Sequence, residues 1–198
     1  MSKTLGIAVS VVALATGAWT MVAGRMTLTA DSKVWVAGTS SVRSYTCKAV
    51  EVDGSVMTSA PIVKLEDAGS VVEAVTLTVE VDKMDCANGT MNAHMKKALK
   101  VQDHPTIEFQ AKSVQTAADP DGSVLLTLVG DLKMAGQTQP LAVEGTMVRG
   151  EDGALRYRGQ VGFDMTKWGV KPPSLMFGTM KVHAPVVVGF DVALTESG

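Results

Sequence analysis

Aromatic side chains are scarce in this sequence: Phe, Trp and Tyr together make up 5% of its 198 residues. A tightly filled β-sandwich usually depends on large aromatic side chains for core volume, so their scarcity counts against that architecture. The chain also lacks a run of Lys and Arg, and its formal charge is −2. Nucleic-acid binding requires a basic stripe with interleaved aromatics, so we expect no nucleic-acid partner.

Motifs for catalysis and metal binding are missing as well. The sequence contains no nucleophile elbow, no zinc-binding helix and no phosphate-binding loop. Its three histidines, His94, His104 and His183, are scattered and share no metal-ligand spacing. We therefore expect a protein that is not an enzyme and that holds neither a metal nor a cofactor, apart from any lipid it carries.

The N-terminal 24 residues contain a single charge, Lys3, followed by an uncharged run rich in Ala, Gly, Ser and Thr. Small residues near Val22 and Gly24 suit a signal-peptidase site, which predicts a cleaved signal peptide over residues 1–24. The alternative is an uncleaved anchor, because about 20 apolar residues just span a bilayer. Either interpretation places the domain that begins at residue 25 outside the cytoplasm, in the periplasm or the extracellular space.

Only two cysteines are present, Cys47 and Cys86. Two cysteines in a small exported domain usually pair. The alternative is a redox-active thiol pair, but the sequence has no CxxC motif and no basic cluster that would lower a thiol pKa. We predict a structural disulfide, which would close a loop of about 40 residues.

From Met26 onward, apolar and polar residues mostly alternate with a period of two, which is typical of strands with one buried face. Residues 75–81, for example, place Val75, Leu77 and Val79 on one face. About eight such segments are separated by turn residues, and both a sandwich and a closed barrel fit this pattern. The inward positions carry small and aliphatic residues, which favours a barrel with an unfilled lumen.

Residues 90–100 interrupt the strand pattern. Met91, Met95 and Leu99 recur at helical spacing, and the next segment, "PTIEFQ", returns to alternation. We predict a short helix lying over one end of the barrel with these side chains turned inward. Methionine is unbranched and polarizable, so such a helix could gate a channel for a flexible hydrocarbon, although ordinary core packing would use the same pattern.

Four stretches between Ser32 and Leu194 resemble the YceI-like family of exported lipid- or polyisoprenoid-binding domains. They are "KVWVAGTSSV", "MNAHMKKALKVQDHPTIEFQAKSV", "LVGDLKMAGQTQPLAV" and "FDMTKWGVKPPSLMFGTMKV". The third is similar to the family's hairpin motif, with Gly130, Leu132, Gly136, Thr138 and Pro140 at the motif positions. The resemblance covers nearly all of residues 25–198 and implies an eight-stranded, antiparallel, lipocalin-like β-barrel with one short helix and an interior tunnel.

The implied tunnel identifies a set of expected ligand-binding residues. They are Val75, Leu77, Val79, Met91, Met95, Leu99, Ile107, Phe109, Leu126, Leu128, Val143, Val161, Phe163, Met165, Trp168, Val188 and Phe190. Lys167, Trp168, Lys171 and Ser174 are candidates for contact with a polar head group. Many family members have an Arg at the position of Met165, and if that Arg holds a polar head group, the head-group contacts of this chain would differ from theirs.

These features give a leading hypothesis and two alternatives. The leading one is an exported carrier that sequesters a polyisoprenoid or fatty-acyl lipid in its lumen. The second is a structural or stress-related adaptor whose barrel is filled by its own side chains. The third is a binder of an isoprenoid quinone, whose tail fits the same tunnel. Membrane contact during ligand exchange and a homodimer are both compatible with the sequence.

Overall fold

The computed structural model describes residues 24–120, 122–175 and 179–196. The predicted signal peptide, residues 1–24, lies outside this range except for Gly24, and so it stays a prediction. Gly24 already belongs to the first strand, where it pairs with Thr58.

The described chain forms twelve strands, and every strand pair is antiparallel. Most of them follow the period-two pattern because each has one face toward the interior and one toward solvent. The strands are β1 (Gly24–Leu28), β2 (Lys33–Ser40), β3 (Ser44–Ala49), β4 (Asp53–Thr58), β5 (Val72–Glu80), β6 (Met84–Asp85), β7 (Thr106–Ala118), β8 (Val124–Met134), β9 (Gln137–Arg149), β10 (Leu155–Asp164), β11 (Ser174–Leu175) and β12 (Met180–Glu196).

Eight of these strands form a closed ring in the order β1-β4-β5-β7-β8-β9-β10-β12. The ring closes where β1 pairs with the end of β12, with Met26 opposite Glu196 and Leu28 opposite Leu194. Closure leaves the ring without an unpaired edge, which removes the aggregation liability of an open sheet. The predicted eight-stranded antiparallel barrel is confirmed.

The long strand β12 also starts a second branch of the wall. Its segment from Val182 to Asp191 pairs with β2, and β2 continues through β3 to β6. A 3-10 turn over Val81–Lys83 joins β6 back to β5. Between β12 and β5 the barrel wall therefore has two parts. Strands β1 and β4 form it toward one end of the barrel, and β2, β3 and β6 form it toward the other.

Strand β8 shows how the sequence positions the interior. Buried and more exposed residues alternate strictly along it, so that Val124, Leu126 and Leu128 face inward while Leu125 faces outward and is 44% exposed. Gly130, on the inward face, is needed for close contact with β7, because a Cβ there would lie 2.1 Å from the Gln110 carbonyl oxygen. A β-bulge in β7 between Ala111 and Ser113 lies at the same place.

Two helices contribute to the ends of the barrel. The predicted helix is confirmed as α2 (Gly89–Ala98), where the Asn88 side chain caps the N-terminus by accepting a hydrogen bond from the Met91 N–H at 2.9 Å. A single helical turn, α1 (Ala68–Val71), was not predicted, since Ala68-Gly69 reads as a turn. Ala68 is 1% exposed and packs into the main apolar cluster, so α1 helps to cover the opposite part of the barrel.

The predicted disulfide is confirmed, and it joins β3 to the segment that leads into α2. Cys47 lies on β3 and Cys86 lies two residues before the α2 cap. Cys47 is 2% exposed and shares an apolar cluster with Val79 and Met84. The bond therefore ties the start of the helix to the wall of the barrel.

Candidate ligand-binding cavity

The barrel encloses a cavity of about 690 Å³, within the range typical of small-ligand sites. All the ring strands, together with β2, β3 and α2, contribute side chains to its wall. The wall is mostly apolar, because the inward positions of these strands carry Val, Leu, Ile and Met together with Phe109, Phe163 and Phe190. Water in such a space would find few polar groups to hydrogen-bond, so the cavity favours an apolar occupant.

All but one of the residues expected to bind ligand lie on the cavity wall. Those on the wall are Val75, Leu77, Val79, Met91, Met95, Leu99, Ile107, Phe109, Leu126, Leu128, Val143, Val161, Phe163, Met165, Val188 and Phe190. Their position was predictable because strand alternation determines which side chains share the interior. Their contact with a ligand stays a prediction.

Trp168 does not lie on the cavity wall. It belongs to a 3-10 turn over Met165–Trp168, where the indole is 2% exposed and shares an apolar cluster with Leu132 and Met165, which do line the cavity. The indole N–H donates a hydrogen bond of 2.7 Å to the Leu132 carbonyl, and the ring centroid lies 4.8 Å from that of Phe163. Trp168 therefore attaches the turn to the barrel.

The other head-group candidates also lie off the cavity wall. Lys167, Lys171 and Ser174 are all exposed, and none of them lines the cavity. Alternation does not extend into this irregular segment, so its sequence gave no information about side-chain direction. The described residues of this segment that line the cavity are Met165, Val170 and Pro173.

Most of the polar side chains on the wall come from two elements that the disulfide ties together. We call these residues the polar rim: Ser40, Arg43, Tyr45, Asn88, Thr90 and His94. They belong to the β2–β3 hairpin and to α2 with its cap. Several rim residues are also exposed to solvent, so the cavity opens to solvent at this place. Sequence analysis missed the rim for two reasons. Arg43 and Asn88 lie in a turn and a helix cap, which follow no strand period, and the expected ligand contacts were limited to apolar positions, which leaves out Ser40, Tyr45, Thr90 and His94 on β2, β3 and α2.

Helix α2 contributes one apolar face to the cavity. Met91, Met95, Ala98 and Leu99 line the interior, while Lys97 on the opposite face is exposed. The Met95 thioether lies 3.6 Å from the Cys86 sulfur, which places the helix directly beside the disulfide.

Polar contacts fix the position of α2 from the outside. Asn92 accepts a hydrogen bond from the Cys86 N–H and donates one to Asp85, each at 2.8 Å. The hydrogen bond from Asn92, together with a second from the Ala87 N–H, lowers the pKa of Asp85. Lys96 forms an ion pair with Asp82 at 2.9 Å. The helix is therefore held at both its cap and its middle.

The interior is a poor environment for charge. Burial raises the pKa of Tyr45 on the rim and, more strongly, that of Tyr157 in the main cluster. The Tyr157 hydroxyl shares its one proton between the carbonyl oxygens of Leu126 at 3.1 Å and Val143 at 3.0 Å. Within the described ranges, no group of three His, Cys, Asp or Glu side chains could hold a metal ion.

In the same part of the chain, no helix has the length and apolar character needed to cross a membrane.

A closed antiparallel ring around an apolar cavity places this protein in the class of β-barrels with an interior large enough for a small ligand. The chain belongs to the YceI-like domain family, whose model matches residues 19–195. No curated protein matches the chain.

Solved structures share the fold at low sequence identity. BcnA from Burkholderia cenocepacia is 15% identical with a TM-score of 0.68, covering 84% of this chain and 98% of its own. A polyisoprenoid-binding domain from Saccharophagus degradans, implicated in plant cell wall breakdown, is 10% identical with a TM-score of 0.64, covering 87% and 98%. A YceI protein from Campylobacter jejuni is 11% identical with a TM-score of 0.57, covering 77% and 84%.

Proposed function

We propose that this protein is a non-catalytic carrier that is exported from the cytoplasm and sequesters one long-chain lipid in its barrel. The ligand classes that fit are a polyisoprenoid, an isoprenoid quinone and a fatty-acyl lipid. The observation that carries the proposal is the cavity of about 690 Å³ with mostly apolar walls. Membership in the YceI-like family and the shared fold with a domain described as polyisoprenoid-binding support it.

Apolar burial provides enough free energy for useful affinity. Each methylene removed from water contributes roughly 0.8 kcal/mol, so about a dozen of them give a gross gain near 10 kcal/mol. Loss of translational freedom and ordering of the chain take back a large part of this gain. Micromolar or tighter binding is the expected result. Selectivity for chain length would be weak, because one methylene more or less changes the free energy little.

The adaptor hypothesis, in which the barrel is filled by its own side chains, is less compatible with this cavity. A self-filled core packs with few voids larger than a water molecule. Export is supported by the Cys47–Cys86 disulfide, since such bonds persist in oxidising compartments.

Lipid extraction from the purified full chain tests the carrier proposal. Organic solvent would be applied to protein isolated without detergent, and the extract analysed by mass spectrometry, with redox difference spectra to detect a quinone. We expect one co-purifying long-chain species at up to one equivalent per protein. A variant with a filled lumen, Leu128→Trp, is the matched control and should carry much less. Absence of any lipid, together with no uptake of added polyprenol or fatty acid, would refute the proposal.

A further inference from the structure

The charge distribution around the cavity is strongly asymmetric. Among the described residues that line it, Arg43 is the one permanently charged side chain, and no Asp or Glu lies on the wall. This asymmetry is unexpected in a chain with more acidic than basic residues. Arg43 is exposed where the cavity opens to solvent, so its charge stays hydrated in the free protein and is available to an anionic group at the opening.

Arg43 has no carboxylate partner in the described structure, unlike several cations elsewhere on the barrel. Its backbone is held by Ser40, whose hydroxyl accepts from the Arg43 N–H at 3.1 Å and donates to the Arg43 carbonyl at 2.8 Å. By contrast, Lys112 and Arg158 each pair with an aspartate. The turn therefore fixes the Arg43 backbone and leaves its guanidinium available.

The surrounding strands also contain no competing acid. Residues 32–49, which form β2 and β3, and residues 179–190 of β12 with its preceding turn contain no Asp or Glu. The two acidic residues that precede α2 are engaged elsewhere, Asp82 with Lys96 and Asp85 with Asn92. An anion at the polar rim would therefore meet Arg43 without close repulsion from these segments.

Neutral donors on the rim complement the cation. Tyr45 presents a hydroxyl, and His94 presents ring nitrogens that can donate or accept a hydrogen bond. The ring of Tyr45 lies over Gly38 on β2, where a Cβ would be 2.4 Å from the Tyr45 hydroxyl oxygen. The absence of a side chain at Gly38 therefore fixes the position of the ring. Arginine and hydroxyl donors together suit a cluster of anionic oxygens.

We infer that the carried lipid is a single-chain amphiphile with an anionic head group, a phosphate or a carboxylate, bound by Arg43 at the polar rim while its chain occupies the cavity. This inference rests on the proposed carrier function and narrows its ligand class. It disfavours a neutral quinone or free polyprenol as the preferred ligand, because neither carries a charge for Arg43 to meet.

Matched pairs of ligands test the inference. Affinities would be measured for farnesyl phosphate against farnesol and for hexadecanoate against hexadecan-1-ol, with inorganic phosphate as a head-group-only probe. We expect the anionic member of at least one pair to bind about tenfold more tightly than its alcohol, and the preferred pair identifies the head group. Inorganic phosphate alone should not bind measurably, since the chain supplies most of the free energy.

Three variants separate a specific contact from general electrostatics. Arg43→Gln should abolish the preference for the anion and leave the affinity for the alcohol unchanged, while Arg43→Lys should retain part of the preference. Lys97→Gln removes the same charge from the outer face of α2 and should change neither affinity. Equal binding of acid and alcohol by the parent protein, or an equal loss in the Lys97 variant, would overturn the inference and leave the carrier function intact. Failure of every amphiphile to bind would refute the carrier function itself.

Discussion

A tryptophan placed inside the cavity should block ligand binding without unfolding the protein. Leu128 is 6% exposed on β8 and lines the cavity, so a larger side chain at this position would extend into the cavity space. Trp has about six more non-hydrogen atoms than Leu and would displace roughly four or five ligand methylenes. At roughly 0.8 kcal/mol each, the loss is about 3–4 kcal/mol, or roughly 100- to 1,000-fold in Kd.

The effect on stability separates an open cavity from a packed core. An open cavity accommodates the indole, so the melting temperature of Leu128→Trp should stay within about 4 °C of the parent. A packed core would be strained by about 1–3 kcal/mol or more, with the Tm lowered and no ligand affinity to lose. The assay is a calorimetric melt together with titration of a long-chain fatty acid and a polyprenol.

Leu125→Trp provides the matched control for this experiment. Leu125 lies on the same strand, faces outward and is 44% exposed, so the same substitution there adds an indole outside the cavity. Its ligand affinity should equal that of the parent. If the two variants bind ligand equally well, or if Leu128→Trp fails to fold while Leu125→Trp folds, the reasoning about the open lumen is wrong.

Three further predictions concern the elements that support the cavity. Replacing Cys47 and Cys86 together with Ala should cost about 4 kcal/mol in the chain-entropy model, measured by denaturant titration, and an unchanged midpoint would contradict a structural role for the bond. Tyr157→Phe removes the hydroxyl proton shared between two carbonyls and should cost about 1 kcal/mol of stability with ligand affinity unchanged, whereas a large loss of affinity would show that the hydroxyl contacts the ligand. The folded state holds the pKa of Asp85 below its ordinary value, so its contribution to stability is complete above that ordinary value, near pH 4, and is lost as the pH falls through the lower folded value. Asp85→Asn should therefore show a smaller fall in Tm on acidification than the parent. An equal fall in Tm for the two proteins would show that the Asp85 carboxylate does not stabilise the fold.

Local sequence patterns were sufficient to predict which side chains face the interior of the barrel. Alternation along β8 places Leu126 and Leu128 inside because the strand period permits only two directions for a side chain. The spacing of Met91 and Met95 likewise identified the face of α2 that meets the cavity. These assignments need no knowledge of which strands are neighbours.

Features that depend on distant pairing or irregular backbone were not predictable in the same way. β12 pairs with β10 and also with both β1 and β2, and the division between β1 and β2 depends on which strand edges meet in space. Trp168 follows the direction of a 3-10 turn that ends at Gly169 with a φ of 69°, and this geometry has no strand-like period. The position of Arg43 on the cavity depends on the β2–β3 turn, and the four-residue α1 is too short to give a helical period.

The place where the ring closes constrains the order in which the barrel can assemble. Its last seam joins Met26 to Glu196, at opposite ends of the described chain, so every intervening strand must be available before the seam can form. Contacts of such long range form slowly because the entropy of closing the intervening loop is lost before the contact is gained. A chain threaded N-terminus first through a translocation pore would thus remain an open sheet until its final strand emerged. Limited proteolysis of a chain shortened at Val192 should find that open sheet, whereas a protease-resistant barrel would show that the second branch of the wall suffices for closure.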